Sequence, residues 1–532
     1  NEFGGNFKDS TCHCEKCQKK FREWLKNKYG TLDKLNASWW TGFWSHKYTD
    51  WDQIHSPSPQ GECLTTALTL DWKRFSSEQI TDFCKMEADA LREFSDLPTT
   101  TNMMGFFKGV DYNTLKNAVD IISWDNYPFW HERKDEVPEA VYTSAGNALM
   151  RSLKREPFLL MESTPSSVSW RSHNPLKRPG MHMLSSMQAV AHGADSVQYF
   201  QWRKSRGGYE KFHGAVVDHK NGSDTRTFRE VTEVGKRLEH LSGGIKTFLN
   251  RAKAAIVFDW ENWWAVEDTS GPRQDLDYVK CVTDHYRAFW ECGLDVDFVS
   301  MDDDFSGYRL LAAPLNYMYK KGYSEKVRAF VEAGGTYVTT YFSGIVNETD
   351  LCFIGRHPLE DVLGVVSEEM DAPSKEFENC FDYNGKEYPA YTMCDIVHAK
   401  AKTEIYSVYK KDFYKGCPVV TENAYGSGRA YYLSAESDQR FLSAFYKDVF
   451  IKAGLLKEAS SADRILKRLP HGVTAAKRED ETGRKGLVFV MNFNDRQVRL
   501  EGIGKQIDAE SGEVYENVLE MAPFSCTILK LK

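Results

Sequence analysis

The sequence predicts an α/β protein of parallel βα units that ends in a small β-rich module. Four apolar, strand-like runs recur through the first part: TTTNMMGFF (99–107), VDIISWDNYPF (119–129), PFLLMES (157–163) and DSVQYFQW (195–202). Helix-patterned segments separate them at 136–153 and 180–192, and another at 77–93 precedes the first. Strands alternating with helices imply crossover connections and hence parallel pairing. In most of these runs the polar and aromatic residues gather at the C-terminal end, as Trp124, Asp125 and Tyr127, then Glu162, then Gln201 and Trp202. In a (β/α)8 barrel that rim is where sites are built.

About four and a half such units precede a change of pattern near residues 241–244, whereas a barrel needs eight. The choice is therefore between an open sheet and a barrel whose first strands lie upstream. A start on Asn1 rather than Met leads us to expect the latter. A second α/β region opens with AAIVFDWEN (254–262), read as a buried strand. A helix near 277–291, a strand ending in LLAAP, a helix at 324–333 and the strand GGTYVTTYF follow. This predicts a doubly wound, Rossmann-like domain, but no G-x-G-x-x-G accompanies it, so no nucleotide is assigned. From about 462 the runs GVTAAKRED, GLVFVMNFN, RQVRLEG and CTILKLK, parted by charged turns, predict a small β-sandwich.

At 532 residues the chain is too long for one domain. Its net charge of −8, without basic runs, argues against a nucleic-acid partner. No stretch approaches the roughly 20 apolar residues of a membrane helix. Aromatic residues reach 13% of the chain, which suits sugar faces but also large cores.

Glu162 closes an apolar strand, where a carboxylate is costly to bury and belongs at a solvent-reachable end. Asp125, Trp124 and Tyr127 end the neighbouring run, Trp170 follows Glu162 by eight residues, and Glu210 and His213 lie in YEKFHGA. Acids, aromatics and a His on one rim fit glycoside hydrolysis. A retaining glycosidase needs two carboxylates about 5 Å apart, and Glu2 in NEFGG is a candidate for the second. His192 and His219 read as core or loop histidines. The stretch SWWTGFWSHKYTDWDQI (38–54) fits a sugar cleft, or plain packing or an interface, equally.

The other cluster is TCHCEKC, where Cys12, Cys14 and Cys17 have the C-x-C-x2-C spacing of three thiolates on one structural, tetrahedral Zn. The fourth ligand is open between His13 and a residue upstream. The other nine Cys are scattered, as buried thiols in a reducing, cytoplasmic setting would be.

The stretches NEFGG, CHCEKCQKKFREWLKNKYGTLDKLN, SWWTGFWSHKYTDWDQI, VDIISWDNYP, LLMESTPSSVSWRSHNPLKRPGMHMLSSMQAVAHGADSVQYFQWRKSRGG and EKFHGAVVDH resemble, in order, glycoside hydrolase family 42 β-galactosidases. The resemblance implies a TIM barrel over 1–245, a Rossmann-like trimerisation domain over 246–461 and a C-terminal β-sandwich over 462–532. It implies retaining hydrolysis of terminal β-D-galactosyl groups, with Glu162 as nucleophile and Glu2 as proton donor. Asn1, Trp170, Glu210 and His213 match sugar-binding positions. Cys12, Cys14 and Cys17 match three zinc ligands, with the fourth, a Cys, upstream. Barrel strands one to three and most of four are also expected upstream. A homotrimer acting on a β-galactoside is the expectation; the alternatives are an α-L-arabinopyranosidase and an inactive scaffold or sugar-binding protein.

Overall fold

The computed structural model describes residues 12–57, 64–220, 222–245, 248–456 and 469–531. The first region holds helices α1 (Glu15–Tyr29), α2 (Leu32–Ser38) and α3 (Thr66–Arg92) ahead of four strands. These are β1 (Thr100–Met103), β2 (Ile121–Asp125), β3 (Phe158–Glu162) and β4 (Ala194–Val197). Between them run α4 (Tyr112–Leu115), α5 (Val137–Lys154) and α6 (Met181–Ala191), and α7 (Arg226–Ile245) follows. All neighbours are parallel, and the sheet order is β1-β2-β3-β4. Each strand lies beside its successor, so there is no switch point. That is the order of consecutive barrel units, not of a doubly wound sheet.

Strand lengths are shorter than the apolar runs predict, because the runs continue into rim loops. α3 begins at Thr66, eleven residues before the predicted start, since Leu68, Leu70, Trp72 and Phe75 already repeat at helical spacing and are buried.

The second region is a seven-stranded sheet in the order 404–408, 418–425, 428–433, 336–340, 310–313, 254–257, 296–299. Its last five strands are parallel, and the strand at 254–257 has later strands on both sides, so this part is doubly wound as expected. Two corrections apply. The predicted strand 254–262 stops at Val257, because Asp259 caps a helix at Trp260–Asp268 by accepting from Glu261 N at 3.0 Å. The antiparallel strands Val365–Asp371, Asn379–Tyr383, Lys386–Ala399, Glu404–Val408 and Pro418–Tyr425 escape the sequence reading.

The C-terminal region pairs Val473–Glu479, Gly486–Asn492 and Ser525–Leu531 in one antiparallel sheet, and Val498–Ile507 with Val514–Met521 in another. Val488, Val490, Leu500, Leu519 and Met521 close a shared core between them. The fully buried Arg478 leaves this module for the first region, where it donates to Val190 O and Ala194 O at 3.2 Å and to Asp195 at 2.9 Å. Gly180, ahead of α6, packs so closely on the module that an added Cβ would meet Phe524 O at 2.7 Å.

Candidate active site

Glu162 is the last residue of β3, and the β2–β3 register sets it opposite Asp125, the last residue of β2. Tyr127, two residues further on, donates its hydroxyl to Glu162 Oε2 at 2.6 Å. Asn102 in β1 donates to Asp125 Oδ2 at 2.5 Å. Polar side chains from three successive strand ends thus meet on one rim. Burial pushes the Tyr127 phenol far up, and the Glu162, Asp125 and Glu210 charges act the same way. Such a phenol keeps its proton, and its hydrogen bond is strongest to an ionised carboxylate.

Beside Tyr127 stands an aromatic wall. Trp170 meets Tyr127 edge-on at 5.0 Å between centroids, and His213 lies 4.9 Å from Trp170, 5.6 Å from Tyr127 and 4.9 Å from Phe200. Trp170 keeps 39% of its surface exposed, whereas His213 has none. Burial, followed by Lys204, lowers the imidazole to about 4, so it is neutral at neutral pH. The next residue explains the close fit: Gly214 donates to Ser167 O at 2.7 Å, and a Cβ there would fall 2.4 Å from Ser166 Oγ. The Glu210 carbonyl accepts the His213 N–H at 2.9 Å. Arg171 lies over Phe129 at 3.4 Å and donates to the carbonyls of Pro128 and Tyr127, tying the loop after β3 to the loop after β2.

Glu162, Trp170 and His213 come together around Tyr127, and Glu210 acts on the same phenol through its charge. Asn1 and Glu2 lie outside the described residues. Sequence reasoning treats Tyr127 as one rim aromatic among several and misses Arg171; the only signal for Tyr127 is its place just beyond a strand end.

The thiols of Cys12, Cys14 and Cys17 lie within 4.8 Å of one another, with Cys14 and Cys17 3.7 Å apart. A tetrahedron with Zn–S arms of about 2.3 Å has edges of roughly 3.8 Å, so the donors fit such an ion. The Cys17 amide and the neighbouring thiols lower Cys14 to about 7, while burial and the same neighbours push Cys17 up to about 12. His13 does not join the three thiols: its Nδ1 lies 2.8 Å from Ser56 Oγ and its ring stacks on Trp72 at 5.3 Å. No other His, Cys, Asp or Glu joins the three among the described residues.

The aromatic stretch divides. Trp39 and Tyr48 are core residues, whereas Trp40, Phe43 and Trp44 are at least 60% exposed and line a cleft of about 430 Å³ with Leu64 and Ile354. His192 is a core histidine, bonded through Nδ1 to Gln188 O at 2.9 Å, and His219 is an exposed loop residue 2.6 Å from Ser205 O.

Residues 1–241 match the family described as "Beta-galactosidase", and residues 252–456 match "Beta-galactosidase trimerisation domain". The chain belongs to the glycoside hydrolase family 42 β-galactosidases. β-Galactosidase BglY of Alicyclobacillus acidocaldarius is 47% identical over 508 residues, which cover 93% of this chain and 71% of that protein. β-Galactosidase Pbg of Clostridium perfringens is 42% identical over 550 residues, covering 100% and 78%. Among solved structures, the β-galactosidase from Rahnella sp. R3 superposes with a TM-score of 0.92 at 46% identity, covering 98% of this chain and 76% of that one. No helix among the described residues is long and apolar enough to cross a membrane.

Proposed function

We propose that the protein is a retaining β-galactosidase in which Glu162 is the nucleophile and Glu2 the proton donor. The observation that carries the reading is the placement of Glu162 at a strand end, held by the Tyr127 hydroxyl and flanked by the Trp170–His213 wall. Family membership and the relatives' activity support it. Glu162 attacks the anomeric carbon while Glu2 protonates the departing oxygen; Glu2 then activates the water that frees the sugar. Tyr127 keeps Glu162 oriented for in-line attack. Trp170 offers an apolar face to the galactose ring, Glu210 and Asn1 bond its hydroxyls, and neutral His213, packed behind Trp170, holds that face in place. Proton NMR on a nitrophenyl β-D-galactoside should record β-galactose as the first product; α-galactose first would overturn the assignment.

Cys12, Cys14 and Cys17 would hold a structural zinc ion, which ties the segment ahead of α1 together and takes no part in turnover. About one zinc per chain by elemental analysis, lost in Cys14→Ser, is the expected result; a metal-free native protein argues against it. The protein is further proposed to act as a homotrimer. The match of 252–456 and the exposed Trp40, Phe43, Trp44 and Ile354 around one cleft support self-association. Free thiols in the interior, such as Cys394 and Cys526, fit a cytoplasmic location.

A further inference from the structure

Lys177 lies in the turn ahead of α6 and is only 6% exposed. Its Nζ donates to Thr164 O at 2.5 Å. A buried ammonium is costly, and burial draws this one down to about 7 against the pull of Glu230. Met would fill similar space without that cost but would remove the donor to Thr164 O.

Thr164 is two residues past Glu162. Its Oγ1 donates to Ser167 O at 3.1 Å and accepts from Ser166 N at 3.3 Å, so it closes the turn on itself. Ser167 O then receives the Gly214 amide at 2.7 Å, and Gly214 carries His213. A continuous set of contacts thus runs from Lys177 through the turn after β3 to the aromatic wall. The anchor is itself fixed from behind. Arg178 N donates to His131 Nε2 at 3.0 Å, and Gly180 rests on Phe524 O.

We propose that Lys177 is a positioning residue, whose buried amine holds the turn after β3 so that Glu162 and the Trp170–His213 wall keep a fixed spacing. The proposal rests on Glu162 being the nucleophile. Lys177 also acts through charge. His213 is faced by Lys204 on the loop after β4, Lys177 ahead of α6, Tyr127 beyond β2 and Glu210 on its own turn. Lys177 is faced by Glu230 of α7 and His182 of α6, with Arg226 of α7 also acting on His182. Lys177 and Lys204 both disfavour the imidazolium, so removing one lets His213 take a proton at higher pH.

The test compares Lys177→Met and Lys177→Gln with the parent on a nitrophenyl β-D-galactoside. Lys177→Met should lose about 10- to 100-fold in kcat/KM, divided between a lower kcat and a higher KM, because a small misplacement of reacting groups is enough. The acid limb of its kcat/KM profile should move to higher pH. Lys177→Gln keeps an N–H donor without the charge, so it should recover part of kcat while retaining the shifted limb. Loss of thermal stability alone, with kcat and KM within twofold of the parent and the limb unmoved, would overturn the proposal. Where Lys177→Met fails to fold, kcat and KM of Lys177→Gln decide: a lower kcat with a higher KM supports it, values within twofold of the parent overturn it. A wrong nucleophile assignment shows separately, as a Glu162→Gln variant that keeps its activity.

Discussion

Asp71 in α3 and Glu162 at the end of β3 are both carboxylates withdrawn from bulk water, yet their surroundings differ in kind. Asp71 has no exposed surface and accepts from Lys28 Nζ and Tyr29 Oη at 2.6 Å, Arg74 Nη1 at 2.8 Å and Trp39 Nε1 at 3.0 Å. Arg74 continues to Glu261 and to Glu348 O, so the cluster also joins the first region to the second. Burial alone would raise the Asp71 carboxyl, but the charges of Arg74 and Lys28 outweigh it and hold it below the ordinary range. Glu162 is half-buried at an open strand end, beside a phenol and an aromatic wall. A carboxylate ringed by cations and donors holds the fold together; one left with a reachable oxygen can react.

The comparison can be broken in three places. Glu162→Gln should lower kcat on the order of 10⁴-fold or more while leaving Tm within a few degrees, read by steady-state kinetics and calorimetry. A loss of only a few fold would make Glu162 a second structural acid. Asp71→Ala should do the opposite. It leaves the buried Tyr29 and Trp39 donors without their acceptor and takes from Arg74 one of its two carboxylate partners, at a cost of about 3–5 kcal/mol in a denaturant titration, with kcat per folded molecule little changed. The sign of the associated pH effect follows from the lowered Asp71 carboxyl. Its contribution is present above the ordinary aspartate range near pH 4 and is lost as pH falls through the still lower folded value. The smallest effect is expected for Tyr127→Phe. It removes one charged hydrogen bond of about 1.5–3 kcal/mol, seen as a 10- to 100-fold drop in kcat/KM with unchanged stability.

The parts legible in the sequence are those where the signal is local. Apolar runs closed by polar residues mark β2 and β3, and the thiol spacing survives because Cys14 and Cys17 lie on one turn at the start of α1. The Tyr127–Glu162 bond is not legible, because it depends on a register shift between Trp124 and Asp125 that brings Asp125 opposite Glu162. The antiparallel strands of the second region are obscured for other reasons. Val365–Asp371 is mostly exposed and lacks alternation, and Lys386–Ala399 contains Pro389, which argues against a strand until its pairing is known.

Gly180 has a consequence for anyone recombining this protein with its relatives. Its contact with Phe524 is between a residue that tolerates no side chain and a backbone oxygen that mutation cannot remove. Position 180 is therefore closed in any substitution library unless the 523–524 turn is redesigned with it. A C-terminal module grafted from another enzyme must likewise bring a turn of matching shape or be transplanted together with the 177–180 loop. In crossover design the two segments, more than 300 residues apart, form one heritable block.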